Sequence, residues 1–248
     1  MKFTTSFICA ITLFSSHVCA EKPLADASEL YEGKEFKKAF ANPKDDSALP
    51  RVLLIGDSIS IGYTVPVRKR MVGKANIHRI PGNGQTAGYG VQKLDKWLGD
   101  KPWDVIHFNW GLWDLCYRHP ESKNQGHRDK VNGEVSTTTD EYRAQLEKAV
   151  AILKKTNATL VWCATTPVPD KETGRIKGDE LIYNKIAEEI MTKHGIMINK
   201  LHAHALKEIP EIYIKPGNVH FNAKGNEHLA DQVAKSLLEA INKKKTKN

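Results

Sequence analysis

At 248 residues, 40% of them hydrophobic, the chain is long enough for one substantial domain, although length alone leaves two small ones open. The formal charge of +8 suits anionic polymers as neighbours or substrates. With no helix-turn-helix pattern and no aromatic-plus-basic RNA motif, nucleic acid is not an expected partner.

Residues 1–20 have the layout of a secretory signal: Lys2, a short apolar run from Phe7 to Phe14, and small residues at Cys19-Ala20. That run is too short to span a bilayer, and no later segment is long and apolar enough for a transmembrane helix. Cleavage after Ala20 and export, to the periplasm or beyond, are the expectation. Residues 21–50 are polar and read as an arm with a short helix near Ala27 to Phe40, broken at Asn42-Pro43.

From Arg51 strands and helices alternate. Val52-Leu53-Leu54-Ile55 is a continuous apolar run of the kind buried on both sheet faces. Residues 77–80 form a weaker second strand, residues 91–98 a helix closed by Gly99, and residues 104–110 a third strand. A polar excursion over residues 117–139 is too long for a simple connector and reads as a lid or substrate-binding insertion. Tyr142, Leu146, Val150 and Leu153 recur at helical spacing behind a cap at Thr139 or Asp140. Residues 160–163 make a fourth strand, 181–194 a helix ended by Gly195, and 196–198 a fifth strand. The last helix covers residues 222–241. This alternation predicts a three-layer α/β/α sandwich with a mainly parallel sheet over residues 51–242, followed by a basic tail over 243–248.

After the signal, Cys116 and Cys163 remain. Export permits a disulfide, and two buried free thiols are the alternative. No Cys/His spacing suggests zinc, and no metal or cofactor is expected.

Gly56-Asp57-Ser58-Ile59-Ser60 follows the first strand directly. Ligands of such sheets bind in the crevice at the strand C-termini, into which a serine on a strand-to-helix turn projects its hydroxyl. A plain helix cap is the structural alternative. Gly82-Asn83-Gly84-Gln85-Thr86 follows the second strand, where glycines let N–H groups approach a ligand. Asn218-Val219-His220 precedes the last helix, from which an imidazole can reach back over the strand ends toward Ser58.

In these segments, spread over about residues 51–238, the chain resembles the SGNH, or GDSL-like, hydrolase family. Gly56-Asp57-Ser58-Ile59 is similar to the block that carries the family's nucleophile. Gly84-Gln85-Thr86 resembles the block whose glycine N–H joins the N–H of the nucleophile in the oxyanion hole, which would make Ser58 and Gly84 the donors. Asn218-Val219-His220 and Gly225 resemble the block of the catalytic histidine. The resemblance implies a flavodoxin-like α/β/α fold and acyl transfer with Ser58 as nucleophile and His220 as general base. Two positions depart. Trp110-Gly111-Leu112-Trp113-Asp114 puts Trp113 where the oxyanion-hole asparagine belongs, with Asn109 and Trp113 itself as candidate substitutes or substrate contacts. Gly217 stands at the position of the triad aspartate, so His220 is held by a backbone carbonyl or by an acid from elsewhere; Asp57 and Asn218 are the candidate supporting residues. An ordinary imidazole base predicts activity lost as pH falls through about 6.5.

Trp110, Trp113, Tyr117 and Arg118 either pack the long loop or form a sugar-stacking platform. Together with export and the polar insertion, they favour a carbohydrate O-acetyl esterase over a lipase or acyl-thioesterase. A non-catalytic carbohydrate-binding protein is the other reading. Gly82-Asn83-Gly84-Gln85-Thr86-Ala87 also fits a dinucleotide fingerprint, a weak match because Asp104 starts a strand where a ribose-binding acid should end one. His202 and His204, two apart on a helix, read as solvated. The sequence leaves the oligomeric state open.

Overall fold

The computed structural model describes residues 36–121 and 128–246. The expected export signal and the first half of the arm lie outside them. Five parallel strands form one sheet: β1 (Arg51–Ile55), β2 (Asn76–Arg79), β3 (Val105–Phe108), β6 (Thr159–Cys163) and β7 (Met197–Asn199), in the order β2-β1-β3-β6-β7. Every residue of β2 and β3 is buried, as is all of β1 and β6 beyond the first position. Strands covered on both faces favour apolar runs, as in β1, whereas buried Asn76, His78 and Arg79 make β2 read more weakly.

The helices are α1 (Lys37–Phe40), α2 (Ser58–Arg70), α3 (Ala87–Leu98), α4 (Thr139–Lys154), α5 (Asp179–Lys193), α6 (Leu201–Ala205) and α7 (Ala223–Lys245). Helix α4 packs between α3 and α5, while α7 packs against α2 and α6 and lies over β3, β6 and β7. The result is the expected three-layer α/β/α sandwich. The chain leaves β1 toward β2 and then returns to β3 on the other side. This order reversal opens a crevice at the C-terminal ends of β1 and β3.

Several boundaries move for local reasons. Thr86, whose hydroxyl accepts from the Tyr89 N–H, starts α3 at Ala87 and not at 91. Thr138, not Thr139 or Asp140, caps α4 in a reciprocal capping box with Glu141. Helix α7 runs through Lys245, so the first lysines of the expected basic tail continue the helix. Within the polar insertion, β4 (Tyr117–Arg118) pairs antiparallel with β5 (Glu134–Val135). The described end of the arm is fastened to β2: the Asn42 side chain exchanges hydrogen bonds with the Arg79 backbone, and Asp45 binds both His78 and Arg51. Cys116 and Cys163 are both buried and free.

Candidate active site

Ser58 is the first residue of α2. Asp57 caps that helix by accepting the Ile59 N–H at 3.0 Å, so the capping role falls to Asp57 and leaves the serine hydroxyl available. The turn is pinned from below by a residue that sequence reading did not single out. Arg79, at the end of β2 and 1% exposed, donates to the carbonyls of Gly56 and Asp57 and to the Ser60 hydroxyl. Burial lowers its pKa to about 9, which still leaves it charged at neutral pH. A buried arginine in a strand carries no sequence signal of its own; only its position beside the nucleophile turn reveals it.

His220 arrives from the other end of the chain. Its segment is held by hydrogen bonds from the Ile214 N–H to the His220 carbonyl and from the Asn222 N–H to the Ile212 carbonyl, before Asn222 caps α7. The imidazole Nε2 lies 2.8 Å from Ser58 Oγ, and Nδ1 lies 2.7 Å from Asn218 Oδ1. The same Asn218 oxygen accepts the backbone N–H of His220 at 2.8 Å. That bond fixes which end of the amide faces the ring, since only an oxygen can accept an N–H. The ring proton then belongs on Nδ1, leaving Nε2 to accept from the serine.

The orienting group is thus Asn218, neither a backbone carbonyl nor a distant acid. Gly217 cannot carry it: its φ is +71°, and a Cβ there would lie 2.8 Å from the Lys171 carbonyl oxygen. The turn takes the family's usual acid position, and the next side chain takes over the contact as a neutral amide.

This neutrality changes the base. Burial, followed by the positive charges of Arg175 and Arg128, lowers the His220 pKa to about 3. The expectation of an acid limb near pH 6.5 is corrected accordingly: the imidazole stays unprotonated far into the acid range. Asp57 moves the other way, raised by burial against the pull of the Ile59 N–H and of Arg175 and Arg79.

The remaining expected donors are differently employed. The Gly84 N–H donates to the Gly56 carbonyl at 2.9 Å. The Asn109 amide spends both hydrogens, on the Cys163 carbonyl at 2.7 Å and the Thr165 hydroxyl at 3.1 Å, tying the ends of β3 and β6 together. The Ser58 N–H lies in the first turn of α2, where no intrahelical acceptor exists and the helix dipole favours negative charge. Trp113 is 4% exposed and forms a wall of the cavity, with the Arg118 guanidinium 5.0 Å from its ring centre. Asp57, Ser58, Trp113, Asn218 and His220 line one cavity of about 160 Å³, together with Arg118, Arg128 and Arg175.

Other side chains find partners elsewhere. His202 sits 3.6 Å from Glu180, and His204 stacks on His228 with ring centres 4.0 Å apart, so neither is simply solvated. The glycine loop is not a dinucleotide site. The Asp114 carboxylate, raised by burial to about 7, accepts the Ala87 N–H at the start of α3, the position a pyrophosphate would need. Asp104 binds Lys244 and the Arg51 N–H. Among the described residues no cluster of metal-ligating side chains occurs, and no helix is long and apolar enough to cross a membrane.

No protein-family model matches the chain, and no curated protein matches it. Solved structures do. The acetyl xylan esterase AlAXEase superposes with a TM-score of 0.62 at 19% identity, covering 75% of this chain and 99% of that one. A lipase/acylhydrolase from Enterococcus faecalis gives 0.60 at 15%, covering 76% and 95%. Axe2, an acetylxylan esterase from Geobacillus stearothermophilus, gives 0.60 at 16%, covering 76% and 94%. The fold is that of the GDSL/SGNH acylhydrolases. On that fold, this chain carries a serine–histidine–asparagine arrangement with three arginines in the cavity wall.

Proposed function

We propose that this protein is an exported serine esterase that removes O-acetyl groups from carbohydrate. One observation carries the catalytic reading: the 2.8 Å contact between Ser58 Oγ and His220 Nε2, with the far side of the ring fixed by Asn218. A structural serine at a helix start has no need of an imidazole from 162 residues away.

In the proposed reaction, Ser58 Oγ attacks the ester carbonyl carbon as its proton passes to His220 Nε2. The resulting imidazolium keeps its Nδ1–H on Asn218, and the Ser58 N–H faces the developing oxyanion. His220 then returns its proton to the departing alcohol, leaving an acetyl-enzyme. Water, deprotonated by the same nitrogen, attacks in turn and releases acetate and free serine. The Gly84 N–H, held by the Gly56 carbonyl, does not replace the missing asparagine. The loss of one such donor costs on the order of 10²–10³ in rate, so a modest turnover number is expected.

The acetyl preference rests on the cavity, which at about 160 Å³ and lined by arginines offers no apolar channel for a long acyl chain. That disfavours a lipase or acyl-thioesterase. Carbohydrate is supported by Trp113 in the cavity wall, by the polar insertion, and by the acetyl xylan esterases among the similar structures. The test combines a fluorophosphonate probe with acetate release from acetylated polysaccharides. Labelling and release should both vanish in Ser58→Ala. A wild-type protein that is unlabelled and inert, yet binds glycans, would establish the non-catalytic alternative.

A further inference from the structure

Arg118, Arg128 and Arg175 come from three separate segments and meet in one cavity with Ser58 and His220. The convergence is built by the backbone. Arg118 belongs to β4 and bridges antiparallel to Arg128, while the Tyr117 N–H donates to the Gly174 carbonyl and the Lys130 N–H to the Thr173 carbonyl. The polar insertion and the segment before α5 are thereby stitched together. Gly174 is part of the fit, because a Cβ there would lie 2.5 Å from Arg128 Cβ.

Among the described residues, two acids lie close to these guanidiniums. Glu172, 1% exposed, accepts from Arg175 at 3.0 Å and lies 3.6 Å from Arg128. Asp57, beneath the serine, already faces both Arg79 and Arg175. Both acids are thus already engaged by guanidiniums beside the Ser58–His220 pair. Arg175 is further locked by its Nε bond to the Leu112 carbonyl, and Arg118 is spread over Trp113. Three guanidiniums lining one small cavity beside the Ser58–His220 pair favour an anionic ligand there. Guanidinium forks also match the planar oxygens of a carboxylate or the oxygens of a sulfate.

We propose that this arginine cluster is an anion subsite, so that the ester cleaved at Ser58 sits on a sugar bearing a carboxylate or sulfate. The inference rests on the esterase reading above and adds the substrate's charge. The 160 Å³ cavity holds an acetyl group and one such substituent close together, which places the anion on the same sugar unit as the acetyl group. The fields of Arg175 and Arg128 already reach the His220 ring, so a group bound to them lies within electrostatic range of the chemistry.

The experiment uses the full-length mature protein and three matched esters: an O-acetylated methyl glucuronoside, the corresponding O-acetylated glucoside, and its 6-sulfate. The wild type should favour at least one anionic ester over the neutral glucoside by tenfold or more in kcat/KM. The favoured one distinguishes carboxylate from sulfate. In Arg118→Gln and Arg128→Gln, chosen because Arg175 is too deeply packed to change safely, the anionic-to-neutral ratio should fall at least tenfold. Equal or better use of the glucoside by the wild type, or a ratio that survives both substitutions, overturns the subsite while leaving the esterase standing. Absence of turnover on all three esters together with absence of fluorophosphonate labelling rejects the esterase itself.

Discussion

Replacing Asn218 with aspartate converts a neutral orienting group into a charged one without changing its shape. In the wild type His220 sits at a pKa of about 3, and its contact at 2.7 Å is to an amide oxygen. A carboxylate there would place its charge ~4 Å from that of the imidazolium. At the effective dielectric constant of ~20 that suits partly buried pairs, the attraction is ~4 kcal/mol, or about three pKa units. The variant's imidazole should therefore titrate near roughly 6. Two consequences follow for kcat/KM measured on a neutral acetyl ester across pH 4–9. The wild type should show no histidine limb down to about pH 4, whereas Asn218→Asp should lose about tenfold between pH 8 and pH 5. On the alkaline plateau the variant should be faster, by at least tenfold, because the imidazolium formed in the transition state gains a counter-charge. The full ~4 kcal/mol is not expected, since the new carboxylate must itself be desolvated. Asp114 titrates near 7 in both proteins and cancels from the comparison. Identical pH profiles for the wild type and the variant, with no added histidine limb in the latter, would refute the role given to Asn218.

Gly90→Ala should destabilise the protein by about 1–3 kcal/mol, despite alanine's better helix propensity. Its Cβ would fall 2.3–2.7 Å from three atoms of the fully buried Trp110 ring, whose Nε1 holds the Gly84 carbonyl. Gly88→Ala is the control: its Cβ would make ordinary contact with Gln145 at 3.7 Å, so chemical denaturation should show no loss. His107, fully buried on β3 and accepting from the Asn199 amide at 3.0 Å, has a pKa lowered to about 3 by burial. That is below the unfolded value near 6.5, so the unfolded chain binds more protons between the two. The stability involved is present above about pH 6.5 and is lost as pH falls. Urea midpoints should show wild type losing ~2 kcal/mol more than His107→Gln between pH 7 and pH 5; equal losses would mean the ring is accessible to protons in the fold.

The first strand was legible because a strand covered on both faces favours an unbroken apolar run, as Val52 to Ile55 provide, while β2, with Asn76, His78 and Arg79 buried, gave a weaker signal. Helix α2 was not delimited from its pattern, for a related reason. It is buried at Ser58, Ile59, Ser60, Ile61, Tyr63, Thr64, Pro66 and Val67, on more than one face, so no polar stripe marks its period, and Pro66 reads as a breaker. Ser58 and His220 could be paired in advance because each sits at the end of an element whose direction the alternation dictates. Their partners were less legible: in the sequence Asn218 is only one candidate beside Asp57. Asn218 takes the orienting role only because Gly217 adopts a left-handed turn against Lys171, a backbone event with no signature beyond the glycine itself. Arg128 and Arg175 lie 47 positions apart in loops of no regular period, and only the pairing of Tyr117 with Gly174 brings them to one wall. Local patterns therefore pointed to the Ser58–His220 pair that the fold brings together, while the groups around it depend on contacts between distant loops. Those same contacts give this site its departures from the family pattern. A neutral orienting amide and a ring of guanidiniums both make His220 a weaker base in the empty enzyme. An anion bound to the guanidiniums would undo part of that weakening at the moment of binding, so recognition of the right substrate and activation of the base would be one electrostatic event.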